Sequence, residues 1–531
     1  MIAYIVGEDP SFKLKIKELI SKVELIIKEV NKIKLENQIK ELEKEHPELL
    51  EKRETEEHIL PELENAVKGK VVVRIAPYPS GPLHIGNTRQ VIINDEYAKK
   101  YNGKFLLILD DTIGSEEKNI TKEAYDLIPE GIKWLGVNYD PKIIYKSYRL
   151  EIYYKYANEI IEKGKAYACK CSSEEIRKNR ADRRECKCRK QTITETKKQW
   201  KDMLDSKYKE GEIALRIKTS MQDSNPAFRD RVLFRICERK HPRVGNKYKV
   251  WPLLEFSWAI DDYLLGITHI IRGKELMIET DMENYIWKIF DWKGPKTIHT
   301  GLLQIEGVKL SKSKAKQEVV SGKYFGWDDQ RTWSLQSLKR RGILPETIRK
   351  FILELGLNQN EISVSVDALY SINRKLIDVK SNRYSFVANP IELNIKKAQS
   401  INYVEVPLYP GRNDKITMKV NPKNIFISQE DFENNKGREI RLLHLYNIKI
   451  NKTGKPEFTS LENKDIQRIN WVSSAIKTRV LMPNGNWIVG LADENIKILK
   501  ISETIQFERF GFCKFDKIND KGEYEFWFAH K

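Results

Sequence analysis

Two short apolar runs, "VVVRIA" (71–76) and "FLLILD" (105–110), flank the stretch "TRQVIINDEYAKKYNG" (88–103) and constrain the fold more than any other feature of this chain. Both runs are rich in β-branched or bulky aliphatic residues, the pattern of strands buried on both faces of a parallel sheet. The stretch between them suits a crossover helix ending at Gly103. Parallel neighbours cannot be joined by a tight turn, so the three pieces predict a βαβ unit of a doubly wound α/β domain. Ligands of such sheets bind beyond the carboxyl ends of the strands. The first βα turn, "RIAPYPSGPLHIGN" (74–87), is therefore placed for binding.

The remainder of the 531 residues is arranged around this unit. Length and a 40% hydrophobic content predict about three or four domains with substantial cores. Residues 11–68 are dense in Lys, Glu, Leu and Ile at helical spacing, which predicts one or two amphipathic helices ending near Pro47 and Pro61. From about 150 to 250 the alternation is broken by basic helices, a cysteine cluster and "GEIALRIK", an insertion within the α/β domain. "WAIDDYLLGITHIIRG" (258–273) resumes it with two strand-like pieces separated by a turn. The reading is mainly helical from about 275 to 375, with Pro345 opening a helix. Beyond about 380, "YVEVPLY", "KITMKV", "NIFIS", "NWIVGL" and "YEFWFAH" alternate between turn residues, the texture of an antiparallel barrel.

Lysine and arginine outnumber the acids by 94 to 76, a formal net charge of +18 spread along the chain. That excess favours a polyanionic partner only weakly over an ordinary solvated surface. The sequence has no run of about 18 apolar residues and no secretory signal, which predicts a cytoplasmic protein off the membrane. Cys169, Cys171, Cys186 and Cys188 follow the pattern C-x-C, fourteen residues, C-x-C. Four soft thiolates can close a structural zinc site, with a set of reduced thiols as the alternative. Cys237 and Cys513 read as ordinary buried thiols.

Within the opening turn, a helix N-terminus offers unpaired amides, Gly81 and Gly86 leave room for phosphate, and His84 adds a donor. Far downstream, "EGVKLSKSKAK" (306–316) sets Lys309, Lys312 and Lys314 between small Ser311 and Ser313, a cationic loop able to close on polyphosphate. Taken singly, each has a plain structural reading, as a turn histidine and as a solvated surface loop.

Together, "PLHIGN" and "KLSKS" resemble the paired "HIGH" and "KMSKS" signatures of class I aminoacyl-tRNA synthetases. "RIAPYPSGPLHIGN", "LDDT", "AYACKC", "WAIDDYLLGITHIIRGKE", "KRRGILPETIRKF" and "IQFERFGF", in this order from about residue 69 onward, resemble the glutamyl-tRNA synthetases of archaeal and eukaryotic type. The resemblance implies a multidomain chain. An N-terminal helical appendage (1–68) precedes an α/β Rossmann-like catalytic core in two halves (69–165 and 246–315), which an acceptor-binding insertion carrying the Cys cluster (166–245) separates. A helical stem-contact region (316–378) and a C-terminal antiparallel β-barrel anticodon-binding domain (379–531) follow.

It also implies that Pro82, His84, Gly86, Asn87, Lys309, Ser311, Lys312 and Ser313 hold ATP with its Mg2+, with His84 and Lys312 catalytic. Arg74, Ala76, Asp110 and Arg272 would bind L-glutamate: guanidinium forks suit carboxylates, and an anion suits the α-amino group. Asp110 has an equally simple reading as a strand-end cap. The implied partners are tRNA(Glu), with tRNA(Gln) as a second candidate, and the implied state is a monomer. Three positions depart from the family pattern: Asn87 replaces the second His of "HIGH", Ile108 replaces an Arg before the acidic pair, and Tyr78 stands where bacterial relatives often have Ser. The rival readings are a glutaminyl-tRNA synthetase and a non-catalytic tRNA-binding paralogue. In the barrel region Arg438, Arg441, Trp487, Phe507 and Arg509 read either as anticodon contacts or as barrel core and rim.

Overall fold

Parallel strands Val72–Ile75 and Lys104–Leu109 pair in register from Val72 opposite Lys104 to Ile75 opposite Leu107, and the helix Ile85–Lys100 crosses between them. The computed structural model describes residues 16–33, 35–46, 60–114, 119–308 and 312–531, with backbone alone at 16–18, 35, 36, 312 and 313. It divides into two units, Met1–His58 and Ile59–Lys531. In the first, the helices are Ile16–Val30 and Leu35–Glu45, each with a lysine in its last turn where the helix dipole is negative. Pro47, predicted to end one of them, lies outside the described residues.

In the second unit, a short third strand, Ile144–Tyr145, extends the parallel set beside Lys104–Leu109. His269–Gly273 pairs in parallel with Lys296–Thr300. Thr268 joins the two groups: its N–H donates to Val72 O and its Oγ1 accepts from Val72 N–H, both at 2.9 Å. The strand order is thus 144–145, 104–109, 72–75, 269–273, 296–300. Val73, Leu107, Leu109, Ile271 and the helix residues Ile92 and Ile93 are fully buried in one core. Each such side chain contributes about 1.5–3 kcal/mol of burial, which is why these strands read as near-continuous apolar runs.

The segment predicted as the first strand-like piece of 258–273 is instead part of a helix, Leu254–Leu264. Its residues 255–262 are all buried, so no polar face marks a helical period. A short run buried all round cannot be told from a strand by periodicity. The second piece is a strand as expected.

Residues 166–252 contain a four-stranded antiparallel sheet, Ala166–Cys169, Ala214–Ile217, Val232–Ile236 and Val250–Pro252 in that order. Helices Ser173–Ala181 and Ile193–Leu204 lie between its first two strands, each opened by a reciprocal Ser/Thr–Glu capping box. Helices Leu335–Arg341, Pro345–Leu355 and Val366–Ile377 follow, with Pro345 in the first turn of its helix.

The C-terminal region is almost entirely β. All five runs expected to be strands contain one: Tyr403–Pro407, Lys415–Lys419, Ile425–Ser428, Trp487–Asp493 and Tyr524–His530. Its largest sheet has seven strands, and its two edge strands, Arg383–Tyr384 and Phe386–Ala388, are separated by Ser385 alone. Phe386, Phe507 and Phe526 of this sheet share one buried core with Trp471. No helix among the described residues is long and apolar enough to cross a membrane.

Candidate active site

The turn leaving Val72–Ile75 at its carboxyl end delivers His84 to the start of the 85–100 helix. His84 has extended backbone, its Nδ1 accepts from Gly86 N–H at 3.1 Å, and its own N–H donates to Asn87 Oδ1 at 3.2 Å. Two orphan amides are thereby satisfied reciprocally. The helix consequently begins at Ile85, three residues before the predicted stretch. Because Nδ1 is an acceptor in this cap, the neutral ring carries its proton on Nε2. Gly81 lets the turn approach Trp327, since a Cβ there would lie 2.7 Å from the indole ring. Ile85 N–H donates to Trp333 O and Leu335 N–H to Leu83 O, so the chain that follows the lysine loop is bonded to this same turn.

Beyond the strand ends lies a cleft of about 830 Å³ lined by Ala76, Tyr78, His84, Asn87, Asp110, Trp258 and Lys316, among others. An adjoining recess of about 190 Å³ shares Ala76, Asn87 and Trp258 with it and adds Arg74, Gln90 and Arg272. Of the residues expected to hold ATP, His84 and Asn87 line this hollow, and the four expected to hold glutamate, Arg74, Ala76, Asp110 and Arg272, line the cleft or its recess. Pro82 is buried beneath the turn, Gly86 serves the cap, and Ile108 is buried in its strand. Lys309 and Ser311 lie outside the described residues; Lys312 and Ser313 open the helix Lys312–Val320, described by their backbone.

The arginines are not bare. Arg74 donates Nε–H and Nη2–H to the two oxygens of Asp262 at 2.8 and 2.6 Å. Arg272 donates Nη1–H and Nη2–H to Glu283 at 2.9 and 2.8 Å, and Nη2–H to Thr280 Oγ1 at 2.5 Å. All four charged groups are at most 4% exposed. Each arginine thus has an internal counter-ion that fixes its plane. A guanidinium has five N–H bonds, so each retains donors; the Arg272 Nε–H is buried and unpartnered.

Trp258 stands among them. Its ring lies 5.0 Å from Arg74, 5.4 Å from Arg272 and 5.3 Å from the ammonium of Lys146. Its Nε1–H donates to Asp110 Oδ2 at 2.9 Å, while Thr112 donates to Oδ1 at 3.0 Å. Lys146 is fully buried just after the third strand, donates to Ser257 Oγ at 2.9 Å and lies 3.5 Å from Asp110 Oδ2. Burial pushes its ammonium pKa down, against the pull of Asp110 and Asp261. Burial likewise pushes the Glu283 carboxyl up, against Arg272. Lys146, Trp258, Asp262 and Glu283 are the site residues that sequence reasoning did not reach. One signal existed: on a helix, Trp258 and Asp262 are one turn apart and share a face.

The four clustered cysteines do come together. Cys169 ends the first strand of the inserted sheet, Cys186 precedes a short 3-10 turn, and all four sulfurs lie within 4.8 Å of one another. Zinc–sulfur bonds of about 2.3 Å require sulfur–sulfur edges of about 3.8 Å in a tetrahedron, and Cys169 and Cys186 are 3.8 Å apart. Arg216 points Nη1 at both sulfurs, at 3.6 and 3.8 Å, which suits thiolates. Cys237 and Cys513 are buried away from the cluster. In the C-terminal β region, Phe507 is core, whereas Trp487 is partly exposed beneath the Arg479 guanidinium and Arg509 pairs with Asp431.

Comparison with known proteins adds to this geometry. The family described as tRNA synthetases class I (E and Q), catalytic domain, matches residues 70–379, and its anti-codon binding domain matches 381–464 and 458–516. A curated glutamate–tRNA ligase of Pyrococcus furiosus is 44% identical over 98% of this chain and 94% of its own length. Those of Pyrococcus abyssi and Archaeoglobus fulgidus are each 41% identical, over 98% and 97% of this chain and 93% and 94% of their own lengths. With a catalytic domain followed by an anticodon-binding domain, this chain belongs to the class I tRNA synthetases of the E and Q family.

Proposed function

We infer that this enzyme is a glutamate–tRNA ligase that activates L-glutamate with ATP and esterifies it to the terminal ribose of tRNA(Glu). The observation that carries this reading is the pair of buried arginines on adjacent strands, Arg74 and Arg272, flanking one recess beside the phosphate-binding turn. In the first step a carboxylate oxygen of glutamate attacks the α-phosphorus of ATP, the bond to the bridging oxygen breaks, and pyrophosphate leaves. The substrate is itself the nucleophile, so the protein positions and neutralises. His84 would meet the phosphates through Nε2–H, the amides of Ile85, Gly86 and Asn87 being already bonded within the fold, and Lys312, at the start of its helix, would offset charge on the departing pyrophosphate. Magnesium accompanies ATP. In the second step a ribose hydroxyl displaces AMP from the glutamyl carbonyl.

Glutamate is favoured over glutamine because both guanidinium groups keep N–H donors beyond their internal pairs, the Arg272 Nε–H being buried without an acceptor. A carboxylate answers them with two oxygens, whereas an amide would turn an NH2 toward an N–H. Asp110 would receive the α-ammonium, with Ala76 lining the same recess. The five-strand order supports a Rossmann-like core in two halves, with the inserted sheet reaching the acceptor end of tRNA, the helices after 316 touching its stem and the barrel reading its anticodon. Four sulfurs close a tetrahedron without an open position, so zinc held by Cys169, Cys171, Cys186 and Cys188 would staple the insertion structurally.

Charging of purified tRNA(Glu) and tRNA(Gln) with labelled glutamate and glutamine, side by side, tests this. Glutamate on tRNA(Glu) is expected, with glutamate on tRNA(Gln) defining a broader enzyme of the same kind. Preferential charging with glutamine would establish a glutaminyl-tRNA synthetase instead, and no charging of either would establish a binding paralogue.

A further inference from the structure

We propose that Lys316 contacts the β,γ-phosphates of ATP and the departing pyrophosphate, supplying a cation that the signature turn of this chain lacks. The inference rests on the ATP reading of the cleft. Its starting point is the cap. His84 spends its Nδ1 lone pair on Gly86, and Asn87, where a second imidazole could have carried charge, spends Oδ1 on His84 N–H. Both side chains are thereby engaged in the cap, and an amide at Asn87 cannot carry charge.

The rest of the cleft makes this deficit worse. Its lining includes the carboxylates of Asp110 and Glu275, and among the described lining residues Lys316 is the one lysine or arginine. A polyanion entering there would meet those two anions, and Lys316 would offset them beside the Lys312 already assigned to the pyrophosphate. Lys316 is also well placed to do so. It lies on the helix Lys312–Val320, directly after the lysine loop, and is half-buried at the rim. Its Nζ donates to Asn119 O at 3.2 Å, so the side chain reaches across from the helix to the opposite lip of the cleft. An ammonium has three donors, and this bond uses one.

The terminal phosphates, rather than the α-phosphate, are assigned to Lys316 because Asp110 and Trp258 occupy the strand-end side of the same cleft, where the amino acid must meet the α-phosphorus. The experiment compares Lys316→Ala and Lys316→Arg with the unmodified full-length enzyme. Calorimetric titrations use a non-hydrolysable ATP analogue, pyrophosphate and AMP, and ATP–pyrophosphate exchange is run with tRNA present. Lys316→Ala should weaken the analogue and pyrophosphate about 10- to 100-fold, the usual loss for one charge-assisted contact, while leaving AMP affinity and the KM for glutamate unchanged. Lys316→Arg should restore most of the loss. Equal affinity for pyrophosphate in the Ala variant overturns the inference, and so does a parallel loss for AMP, which would mark a structural role. If the unmodified enzyme binds no ATP analogue, the reading of the cleft falls first and takes this contact with it.

Discussion

Arg74 and Asp262 are 188 residues apart in sequence and share two hydrogen bonds with no access to water. An isolated buried guanidinium would be costly, so the carboxylate is what allows an arginine to stand in this recess at all. The pair also fixes the plane of the guanidinium before substrate arrives, which removes an ordering cost from binding. Asp262→Ala should therefore lower the stability of the unit by about 3–5 kcal/mol, the usual cost of stranding one partner of a buried ion pair. Urea unfolding followed by tryptophan fluorescence measures it, and a loss within experimental error of zero would mean that Arg74 finds water or another anion. At this scale the sequence was half legible. The motif strings pointed to Arg74, Arg272, Asp110 and His84, whereas the counter-ions Asp262 and Glu283 depend on contacts between strand and helix that no local pattern encodes.

Elements were legible where one face differs from the other or where a residue punctuates the chain. The strands of the parallel core, Pro345 at a helix start and the alternating strands of the C-terminal region all follow that rule. Leu254–Leu264 did not, because neighbours cover every side of it and its two aspartates are buried with partners, Asp261 with Arg149 and Tyr153 and Asp262 with Arg74. The 85–100 helix shows how one residue can serve element and chemistry at once. His84 caps the helix through Nδ1, and the proposed phosphate contact uses the other nitrogen. The two roles can be separated by substitution. His84→Asn supplies a side-chain oxygen that caps nearly as well, so thermal stability should stay near that of the unmodified enzyme while glutamate activation collapses; His84→Ala should lose both activity and about 1 kcal/mol of stability. Calorimetry beside tRNA-supported pyrophosphate exchange reads the difference. An active Asn variant would reduce His84 to a cap.

The catalytic half and the C-terminal β region are joined by contacts that neither half predicts alone. Arg340 forks onto Asp516 at 2.8 and 2.7 Å and lies over Trp527, and Arg341, fully buried, donates to Ala529 O at 2.9 Å. His530, on the last strand, completes the joint. Its ring stacks on Tyr370, Nδ1–H donates to Lys531 O at 2.8 Å, and Nε2 accepts from Asn373 Nδ2 at 2.9 Å. A proton on Nε2 would confront that amide donor, and the charges of Arg341 and Arg374 stand nearby. Burial pushes the His530 pKa down from 6.5 to about 4, opposed by the hydrogen bond to the Lys531 carbonyl and aided by the charges of Arg374 and Arg341. The sign of the linkage follows. Above about pH 6.5 the ring is neutral in folded and unfolded chains alike, and the joint keeps its full stability. As pH falls from about 6.5 toward 4, the unfolded chain takes a proton that the folded joint refuses, so stability declines by about 1.4 kcal/mol per pH unit and by about 3 kcal/mol in all. His530→Gln retains a hydrogen-bonding side chain but cannot titrate. Unfolding free energies measured at several pH values should show the acid limb of the unmodified enzyme steeper than that of the variant between pH 6.5 and 4, with the two curves parallel above 7. Parallel curves throughout would show that the joint opens to water before the histidine protonates, and that Arg340 and Arg341 hold the two halves together without it.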